Sequence, residues 1–200
     1  MKKLLIIGAG ILQVAVIRRA QEMGYCTIAV DSNKNAPGIE IANKAIIADI
    51  TDIETILKYA KEEKIDGVIH PCSEVAMNTM GRINEEMSLS GIDLKTAIKS
   101  TNKVKMRRAF EVANISSPIS KEVNKEEDAI QIVRKIIGGV VLKPSRNSGS
   151  RGVSYLESDA TNNDILTAYK HAIENSYDKS ALIEQYIDGP ECSVEIVIWN

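Results

Sequence analysis

Residues 141–153 of this 200-residue chain read Val-Leu-Lys-Pro-Ser-Arg-Asn-Ser-Gly-Ser-Arg-Gly-Val, and this stretch decides the fold. The short apolar run from Gly139 to Leu142 predicts a buried strand that presents Lys143 at its end. Small and basic residues follow, and a strand-like pattern resumes at Val153 to Leu156. Two strands joined by a loop of small residues predict a hairpin-like flap.

The loop of this flap has the composition of an anion-binding site. Gly149 and Gly152 allow positive φ angles, so successive backbone N–H groups can point into one concavity. No acidic residue occurs before Glu157, whereas the loop and its flank carry three cations, Lys143, Arg146 and Arg151. The pattern predicts a cradle for a polyphosphate. The alternative is a flexible surface hairpin of ordinary Ser/Gly composition.

The composition argues against several classes of protein. A formal net charge of −2, a pI near 5.8 and 4% aromatic residues are atypical of nucleic-acid-binding proteins, which are more basic and offer stacking side chains. The three cysteines, Cys26, Cys72 and Cys192, have no metal-ligand spacing and predict reduced thiols. The opening apolar run stops at Gly8, and no run is long enough to span a membrane. We therefore expect a soluble cytoplasmic protein that binds neither nucleic acid nor membranes.

The first part of the chain alternates strands and helices in the manner of a doubly wound parallel sheet. An apolar strand that ends at Ile7 is followed by a helix and by a second apolar strand. Gly8, Gly10 and Asp31 give half of a dinucleotide-binding fingerprint. Gln13 occupies the third glycine position, where we expect its long amide to crowd the contact between helix and strand. An NAD(P)-binding oxidoreductase domain is therefore an alternative that Gln13 disfavours.

Polar residues are predicted at the carboxyl edge of this sheet, where ligands of open α/β sheets bind. Gln13, Ser73 and Glu74 would form a substrate-binding crevice there. Ser73 can also cap the helix that follows, and Glu74 fits a ligand role and a helix-start acid equally well. The neighbouring His70 and Cys72 are predicted to be packed structural residues at the end of a strand.

A block of basic residues follows the sheet. From Lys95 to Arg108 there are six basic residues and no acid. A helix that starts after Thr101 or Asn102 would place Lys103 and Arg107 on one face, one turn apart. Such a block is either a solvated helix face or an anion-binding surface. Beyond it the pattern predicts helices over 125–137 and 161–175 and strands over 180–187 and 192–199.

Four segments of the chain, in the order and spacing of the family, resemble the signature segments of ATP-grasp ligases. Examples of these ligases are carbamoyl phosphate synthetase large subunit, biotin carboxylase and the purine-pathway ligases. Residues 102–107 resemble the lysine-bearing segment that opens the ATP-grasp domain, and residues 140–153 resemble its phosphate-binding flap. Residues 182–195 are similar to its adenine hinge and ribose acid. Residues 8–13 with Asp31 are similar to the preceding domain. The resemblance spans essentially the whole chain.

The resemblance implies an α/β fold with two parts. A Rossmann-like, parallel-sheet pre-ATP-grasp domain would be followed by a small α+β ATP-grasp subdomain, and the chain would be truncated before the large subdomain is complete. The expected divisions are the pre-ATP-grasp domain at 1–95, a basic helical linker at 96–118, the small subdomain at 119–190 and the start of the large subdomain at 191–200.

The resemblance also implies where the phosphates of ATP would bind. Lys103 and Lys143 would neutralise the α- and β-phosphates from two sides. The backbone N–H groups of the flap would close over the β- and γ-phosphates and stabilise their charge in a water-poor cleft. The residues that supply these groups would be Ser148, Gly149, Ser150, Arg151 and Gly152.

The adenosine part would bind the segment after the flap. The hinge consists of Glu184, Gln185, Tyr186 and Ile187. The carbonyl of Glu184 and the N–H of Ile187 would read the amino edge of adenine in an apolar slot. Glu191 would accept hydrogen bonds from the ribose hydroxyls.

By resemblance, the parent protein activates a carboxylate or bicarbonate as an acylphosphate with MgATP and passes it to an amine. Small-molecule carboxylate and amine substrates are the expected partners, with a homodimer through the N-terminal domain as a further expectation. The Mg²⁺-binding carboxylates, an Asn and a catalytic Arg of the family lie in the large subdomain. We therefore expect a shortened form with little or no ligase activity. The alternative is an ATP-binding regulatory or assembly module without chemistry.

Overall fold

A computed structural model describes residues 1–196 of the chain. The chain divides into two compact units, Met1–Ala109 and the part from Phe110 onward. Each unit has its own sheet and its own hydrophobic core.

The first unit contains a four-stranded parallel sheet with the strand order β3-β2-β1-β4. The apolar sequence of the first strand reflects burial on both faces, because Leu5, Ile6 and Ile7 are fully buried. The strands are β1 Lys3–Ile7, β2 Cys26–Asp31, β3 Lys44–Ile47 and β4 Gly67–Ile69.

Helices lie on both faces of this sheet. The helices that begin in the first unit are α1 Ile11–Glu22, α2 Pro37–Ile41, α3 Ile53–Glu63, α4 Met77–Met87, α5 Leu94–Thr101 and α6 Lys103–Val112. Leu5 of β1 packs in one core with Ile56 of α3 and Ile83 of α4. Its neighbour Ile6 packs in a second core with Ile17 of α1. Since adjacent residues of a strand point to opposite faces, this is the doubly wound arrangement.

Two helices lie in the basic block, where the sequence predicted one. Helix α5 packs so closely on α4 that a Cβ added to Gly81 would lie 2.8 Å from the carbonyl oxygen of Asp93. The predicted start of α6 after Asn102 is confirmed, since α6 begins at Lys103. The Oδ1 atom of Asn102 accepts a hydrogen bond from the N–H of Lys105 at 2.9 Å, which satisfies a backbone donor of the first turn.

The second unit contains a four-stranded antiparallel sheet with the strand order β5-β8-β6-β7. Its strands and helices are β5 Ser120–Val123, α7 Glu126–Lys135, β6 Val140–Pro144, β7 Ser154–Leu156, α8 Asn162–Glu174 and β8 Ala181–Gln185. The predicted hairpin is confirmed, because β6 pairs antiparallel with β7 and Leu142 lies opposite Ser154. The predicted fold class, a parallel-sheet domain followed by a smaller α+β unit, is confirmed.

Both helices of the second unit pack on one face of its sheet. Val140, Leu142 and Ile183 form a core with Val133 of α7 and Ile165 of α8. Because side chains alternate along a strand, the residues of β6 and β8 that lie next to these core residues in sequence point to the opposite face of the sheet. This alternation decides which side chains of β6 and β8 build the site.

The prediction of a strand that begins at Cys192 is wrong for residues 192–196. Residues 191–196 are exposed and have no strand conformation. A strand needs a neighbouring strand for its backbone N–H and C=O groups, and none pairs with this segment among the described residues. Residues 197–199 of that prediction lie outside the described residues. No helix in the described part combines the length and apolar character needed to cross a membrane.

Candidate functional site

A buried ion pair lies on the sheet of the second unit. The Nζ atom of Lys143 on β6 contacts the Oε2 atom of Glu184 on β8, and the two side chains are 18% and 4% exposed. The structure thus brings together Lys143 and the Glu184 segment, which the resemblance assigned to one ATP site. The cause is strand pairing, because β6 and β8 are neighbours and Glu184 lies opposite Val141, two residues from Lys143.

The side chain of Glu184 therefore forms an ion pair that the sequence did not suggest. The sequence assigned adenine recognition to its backbone carbonyl. In the structure Glu184 lies inside a central strand, in register with Ser120 of β5 and Val141 of β6. Its carboxylate is almost fully buried beside Lys143. The pair puts a hydrogen-bond acceptor and a cationic donor side by side.

The loop of the flap, residues 145–153, begins two residues beyond Lys143. Ser145 at its base is fully buried, whereas Gly149, Ser150 and Arg151 at its tip are exposed. The φ angles of Gly149, Ser150 and Gly152 are +67°, +55° and +76°. The positive φ angles predicted for the two glycines are confirmed.

Gly152 and Gly149 are required for different reasons. A Cβ added to Gly152 would lie 2.7 Å from Asn175 Cβ and 2.7 Å from Pro144 Cγ, so this position is both strained and crowded. A Cβ added to Gly149 would meet nothing within 4 Å. Gly152 therefore allows the flap to pack closely, whereas Gly149 only allows the backbone to turn.

Some polar groups of the flap are engaged within the flap. The N–H of Ser148 donates to Asn147 Oδ1 at 2.8 Å, and Arg151 Nε donates to the carbonyl of Ser148 at 3.1 Å. Of the N–H groups predicted to close over phosphates, the one on Ser148 is thus already bonded. The exposed tip from Gly149 to Arg151 presents the remaining candidates.

The predicted hinge leaves the sheet at the end of β8. Gln185 is the last strand residue, and its N–H donates to the carbonyl of Ile119 at 2.8 Å. The N–H of Tyr186 donates to the carbonyl of Gly139 at 2.9 Å, which ties the hinge to the start of β6. The Tyr186 ring lies against Tyr155 with a centroid distance of 4.7 Å. Ile187 is 60% exposed, and Glu191 is exposed in an irregular segment.

Lys103 lies in the first unit, at the first position of α6. The cap at Asn102 fixes where this helix starts. Its role at the phosphates stays a prediction from the sequence resemblance.

The glycine turn of the first unit is bonded to the end of β2. The N–H of Ala9, between Gly8 and Gly10, donates to Asp31 Oδ2 at 2.9 Å. The other carboxylate oxygen of Asp31 accepts the N–H of Asn33 at 2.9 Å. The sequence proposed Asp31 as a ribose ligand of a dinucleotide. One oxygen of Asp31 therefore bonds the glycine turn, and the other closes a local turn at Asn33.

Gln13 lies over this turn and does not crowd the contact between helix and strand. Its Cδ would be 3.6 Å from a Cβ on Gly8, and its Nε2 donates to the carbonyl of Pro71 at 3.1 Å. The structure therefore brings Gln13 next to the loop that carries Ser73 and Glu74, as predicted. Glu74 is exposed. The substrate roles of these three residues stay predictions.

His70 links this loop to the sheet. Its Nδ1 lies 2.8 Å from the carbonyl of Ile7 and therefore donates to it, so Nε2 is the acceptor. Nε2 then receives the hydroxyl of Ser73 at 2.8 Å and the N–H of Ala76 at 3.2 Å. Burial lowers the pKa of His70, partly opposed by the bond to Ile7. The predicted structural role of His70 is confirmed.

Two predictions about this loop are wrong. Ser73 does not cap the following helix, because α4 begins at Met77 with Ala76 before it, and the hydroxyl of Ser73 bonds His70 instead. Cys72 is not packed. It is exposed with a φ of +73°, because the chain turns sharply between Pro71 and Ser73.

Residues 1–196 gather no group of three or more His, Cys, Asp or Glu side chains that could hold a metal ion.

The sequence reasoning missed the residues that hold the flap in place. Ser145, Asn147 and Asp178 are ordinary polar residues in loops, and each bonds a partner about thirty residues away. The only local signal was a cluster of Asn, Ser and Asp after α8, which predicts a turn and gives no partner.

The chain is similar in sequence to several known proteins. Residues 1–98 match the ribonucleotide synthetase preATP-grasp domain family. The chain is 26% identical over 189 residues to formate-dependent phosphoribosylglycinamide formyltransferase of Bacillus subtilis (strain 168). It is 29% identical over 191 residues to the protein of that name in Methanocaldococcus jannaschii. Both alignments cover 93% of this chain and 48% of the relative, so the chain spans about half the length of the curated relatives it matches.

Solved structures share the fold. An ADP complex of N5-carboxyaminoimidazole ribonucleotide synthetase superposes with a TM-score of 0.75 at 24% identity, over 93% of this chain and 47% of that one. The biotin carboxylase domain dimer of Hydrogenobacter thermophilus 2-oxoglutarate carboxylase, in complex with MgADP, ADP and bicarbonate, gives 0.76 at 21% identity. That match covers 94% of this chain and 44% of the other.

Proposed function

The chain is a relative of the N-terminal portion of ATP-grasp ligases, and from this premise we propose that its second unit binds ATP for a carboxylate–amine ligase. The observation that carries the proposal is the position of the Lys143–Glu184 pair at the base of the flap. Strand β6 leads into a loop with an exposed, glycine-containing tip, and its neighbour in the sheet, β8, leads into the hinge.

The ion pair is suited to adenine. The amino group of adenine is a donor and the adjacent ring nitrogen is an acceptor. The buried Glu184 carboxylate would accept from the amino group, and the Lys143 ammonium would donate to the ring nitrogen and reach the α-phosphate. The main chain of Gln185 to Ile187 would complete the base site. Glu191 would bind the ribose hydroxyls.

The flap would bind the rest of the triphosphate. Backbone N–H groups at the tip, from Gly149 to Gly152, would surround the β- and γ-phosphates. Arg146 and Arg151 add positive charge to the same loop. Lys103 would add another cation, as the resemblance implies. Such donors stabilise the negative charge that develops on the transferring phosphoryl group.

The reaction proposed for the whole enzyme has two steps. A carboxylate oxygen attacks the γ-phosphorus, the bond from that phosphorus to the bridging oxygen breaks, and ADP leaves. The amine nitrogen then attacks the acyl carbon of the acylphosphate, the bond to phosphate oxygen breaks, and the nitrogen loses a proton. A small carboxylate, such as formate or bicarbonate, fits the names of the relatives. Gln13, Ser73 and Glu74 of the first unit would bind the small-molecule substrates, and a homodimer through the first unit stays part of the proposal.

Calorimetric titration tests the ATP site on the whole chain. ATP and AMP are expected to bind, with ATP tighter because the flap adds contacts to its β- and γ-phosphates. NADH is expected not to bind, since the N–H of Ala9 in the glycine turn of the first unit is already bonded to Asp31. Binding of NADH without binding of ATP would overturn the proposal in favour of a dinucleotide-binding domain.

A further inference from the structure

A turn outside the flap holds the base of the flap. Residues 175–180, which connect α8 to β8, form this anchor turn. The N–H of Ser145 donates to the carbonyl of Ser180 at 3.0 Å, and the N–H of Tyr177 donates to the carbonyl of Arg146 at 3.2 Å. Backbone hydrogen bonds in both directions therefore fix the flap base against the anchor turn.

Asp178 reinforces this contact with its side chain. Its Oδ1 accepts a hydrogen bond from the hydroxyl of Ser145 and lies 2.8 Å from Oγ of Ser176. Ser145 is fully buried and Ser176 is 2% exposed. Since a buried polar group that loses its partner destabilises the fold, the first residue of the flap is held in one position.

Asn147 joins the anchor turn to the flap itself. Its Nδ2 donates to the carbonyl of Asn175 at 2.6 Å, and its Oδ1 accepts the N–H of Ser148 at 2.8 Å. The same carboxamide thus bonds the anchor turn on one side and the backbone of the flap on the other. Gly152, at the far end of the flap, lies against Asn175 as well, where a Cβ would be 2.7 Å away.

We propose that Asn147, supported by Ser145 and Asp178, is a positioning residue that sets the flap in the conformation that receives the outer phosphates of ATP. This inference rests on the proposed ATP site. The Asn147 side chain would act through the backbone of Ser148. The anchor turn thereby becomes part of the nucleotide site although it lies outside the flap and the hinge.

The role predicts a selective effect on nucleotides. The base and α-phosphate bind Lys143, Glu184 and the hinge, which do not depend on Asn147. The β- and γ-phosphates bind the flap, which does. Loss of the Asn147 carboxamide should therefore weaken ATP and spare AMP, whereas general damage to the unit would weaken both.

The experiment compares Asn147→Ala and Ser145→Ala with Asn163→Ala, a matched control in the first turn of α8. Titration calorimetry gives the Kd for ATP, and displacement titration gives the Kd for AMP. Hydrogen exchange of residues 146–153 is measured without nucleotide. We expect Asn147→Ala to weaken ATP by roughly three- to tenfold, the worth of one or two hydrogen bonds, with AMP changed less than about twofold. Exchange in the flap should be faster in both flap variants and unchanged in the control.

Equal losses for ATP and AMP would overturn the positioning role, and so would unchanged hydrogen exchange in both flap variants. If the wild-type chain binds neither nucleotide, the proposed ATP site fails, and with it the positioning of phosphates. In that case faster exchange in the variants would still establish the anchoring, so the two failures are distinguishable. Ser145→Ala removes a single hydroxyl, and it keeps the test decisive if Asn147→Ala does not fold.

Discussion

The two units of the protein each carry a glycine turn at the end of a strand, and the two turns are used differently. In the first unit the N–H of Ala9, between Gly8 and Gly10, is bonded to Asp31 and covered by Gln13. In the second unit the flap is bonded at its base, and its tip at Gly149 is exposed beside cationic side chains. A backbone N–H that already has an acceptor within the protein, as that of Ala9 does, is not available to a phosphate.

The same comparison argues against the dinucleotide alternative. Both oxygens of Asp31, the acid expected to hold a ribose, already accept backbone N–H groups. The first unit has a doubly wound sheet, and the glycine turn at the edge of this sheet is bonded to Asp31 at the end of β2. This difference supports the proposal that the second unit, and not the first, binds the nucleotide.

The largest effect is expected at the ion pair. Lys143→Met removes the cation beside a carboxylate that is 4% exposed, so the second unit should lose about 3 kcal/mol of its free energy of unfolding. ATP affinity should fall by about 30-fold, since a charged hydrogen bond is lost. Denaturant titration and calorimetry measure the two quantities.

Lys135→Met, on the exposed last turn of α7, is the matched control and should change both quantities little. If Lys143→Met binds ATP as tightly as the wild type, the ion pair is not part of the nucleotide site. The proposed difference between the flap and the glycine turn of the first unit would then be lost.

The two flap glycines give a paired test of how tightly the flap packs. Gly152→Ala adds a strained φ and a contact of 2.7 Å, and should cost about 3 kcal/mol in the free energy of unfolding. Gly149→Ala adds only the strained φ and should cost about 1 kcal/mol. Chemical denaturation of both variants measures the difference. Equal costs would mean that the flap does not pack on Asn175 and Pro144.

The turn of the first unit can be opened by Asp31→Ala. The N–H groups of Ala9 and Asn33 lose their acceptor, so the free energy of unfolding should fall by about 1–2 kcal/mol. ATP affinity should stay within about twofold of wild type, because the proposed nucleotide site lies in the second unit. Asp159→Ala, in an exposed turn, controls for the loss of a carboxylate. A large drop in nucleotide affinity in Asp31→Ala would place binding on the first unit.

The smallest effect concerns pH. His70 is held neutral because burial lowers its pKa below the ordinary 6.5, so below pH 6.5 the unfolded chain takes up a proton that the folded chain does not. The free energy of unfolding should therefore fall as pH drops below 6.5, by up to about 1.4 kcal/mol per unit until the folded pKa is reached.

His70→Asn should remove this slope, and the exposed His171→Asn in the second unit should leave it unchanged. Denaturant titrations between pH 7.5 and 5.5 measure it. A slope that persists in His70→Asn would assign the pH dependence to another group.

Much of the fold was predictable because apolar runs and glycines mark the strand ends. The strand before Lys143, the hairpin and the start of α6 at Lys103 all follow from local patterns. Helix α5 was not predicted, although its N-cap Asp93 accepts the N–H of Thr96 and gives a local start signal. Its close approach to α4 at Gly81 is a tertiary contact, about which local propensity carries no information.

The candidate site was predictable in its charges and not in its contacts. The flap, its cations and the Glu184 segment are visible in the sequence. The bond between Ser145 and Asp178 joins residues 33 positions apart, and the pairing of Lys143 with Glu184 depends on which strands are neighbours. Both are set by tertiary packing, so they required the structure.

The most direct test of the account is NMR of the chain labelled with ¹⁵N-glycine, whose 12 glycines give a small set of backbone signals. On addition of ATP we predict that the signals of Gly149 and Gly152 shift and those of Gly8 and Gly10 do not. Shifts at Gly8 and Gly10 with an unchanged flap would contradict the account.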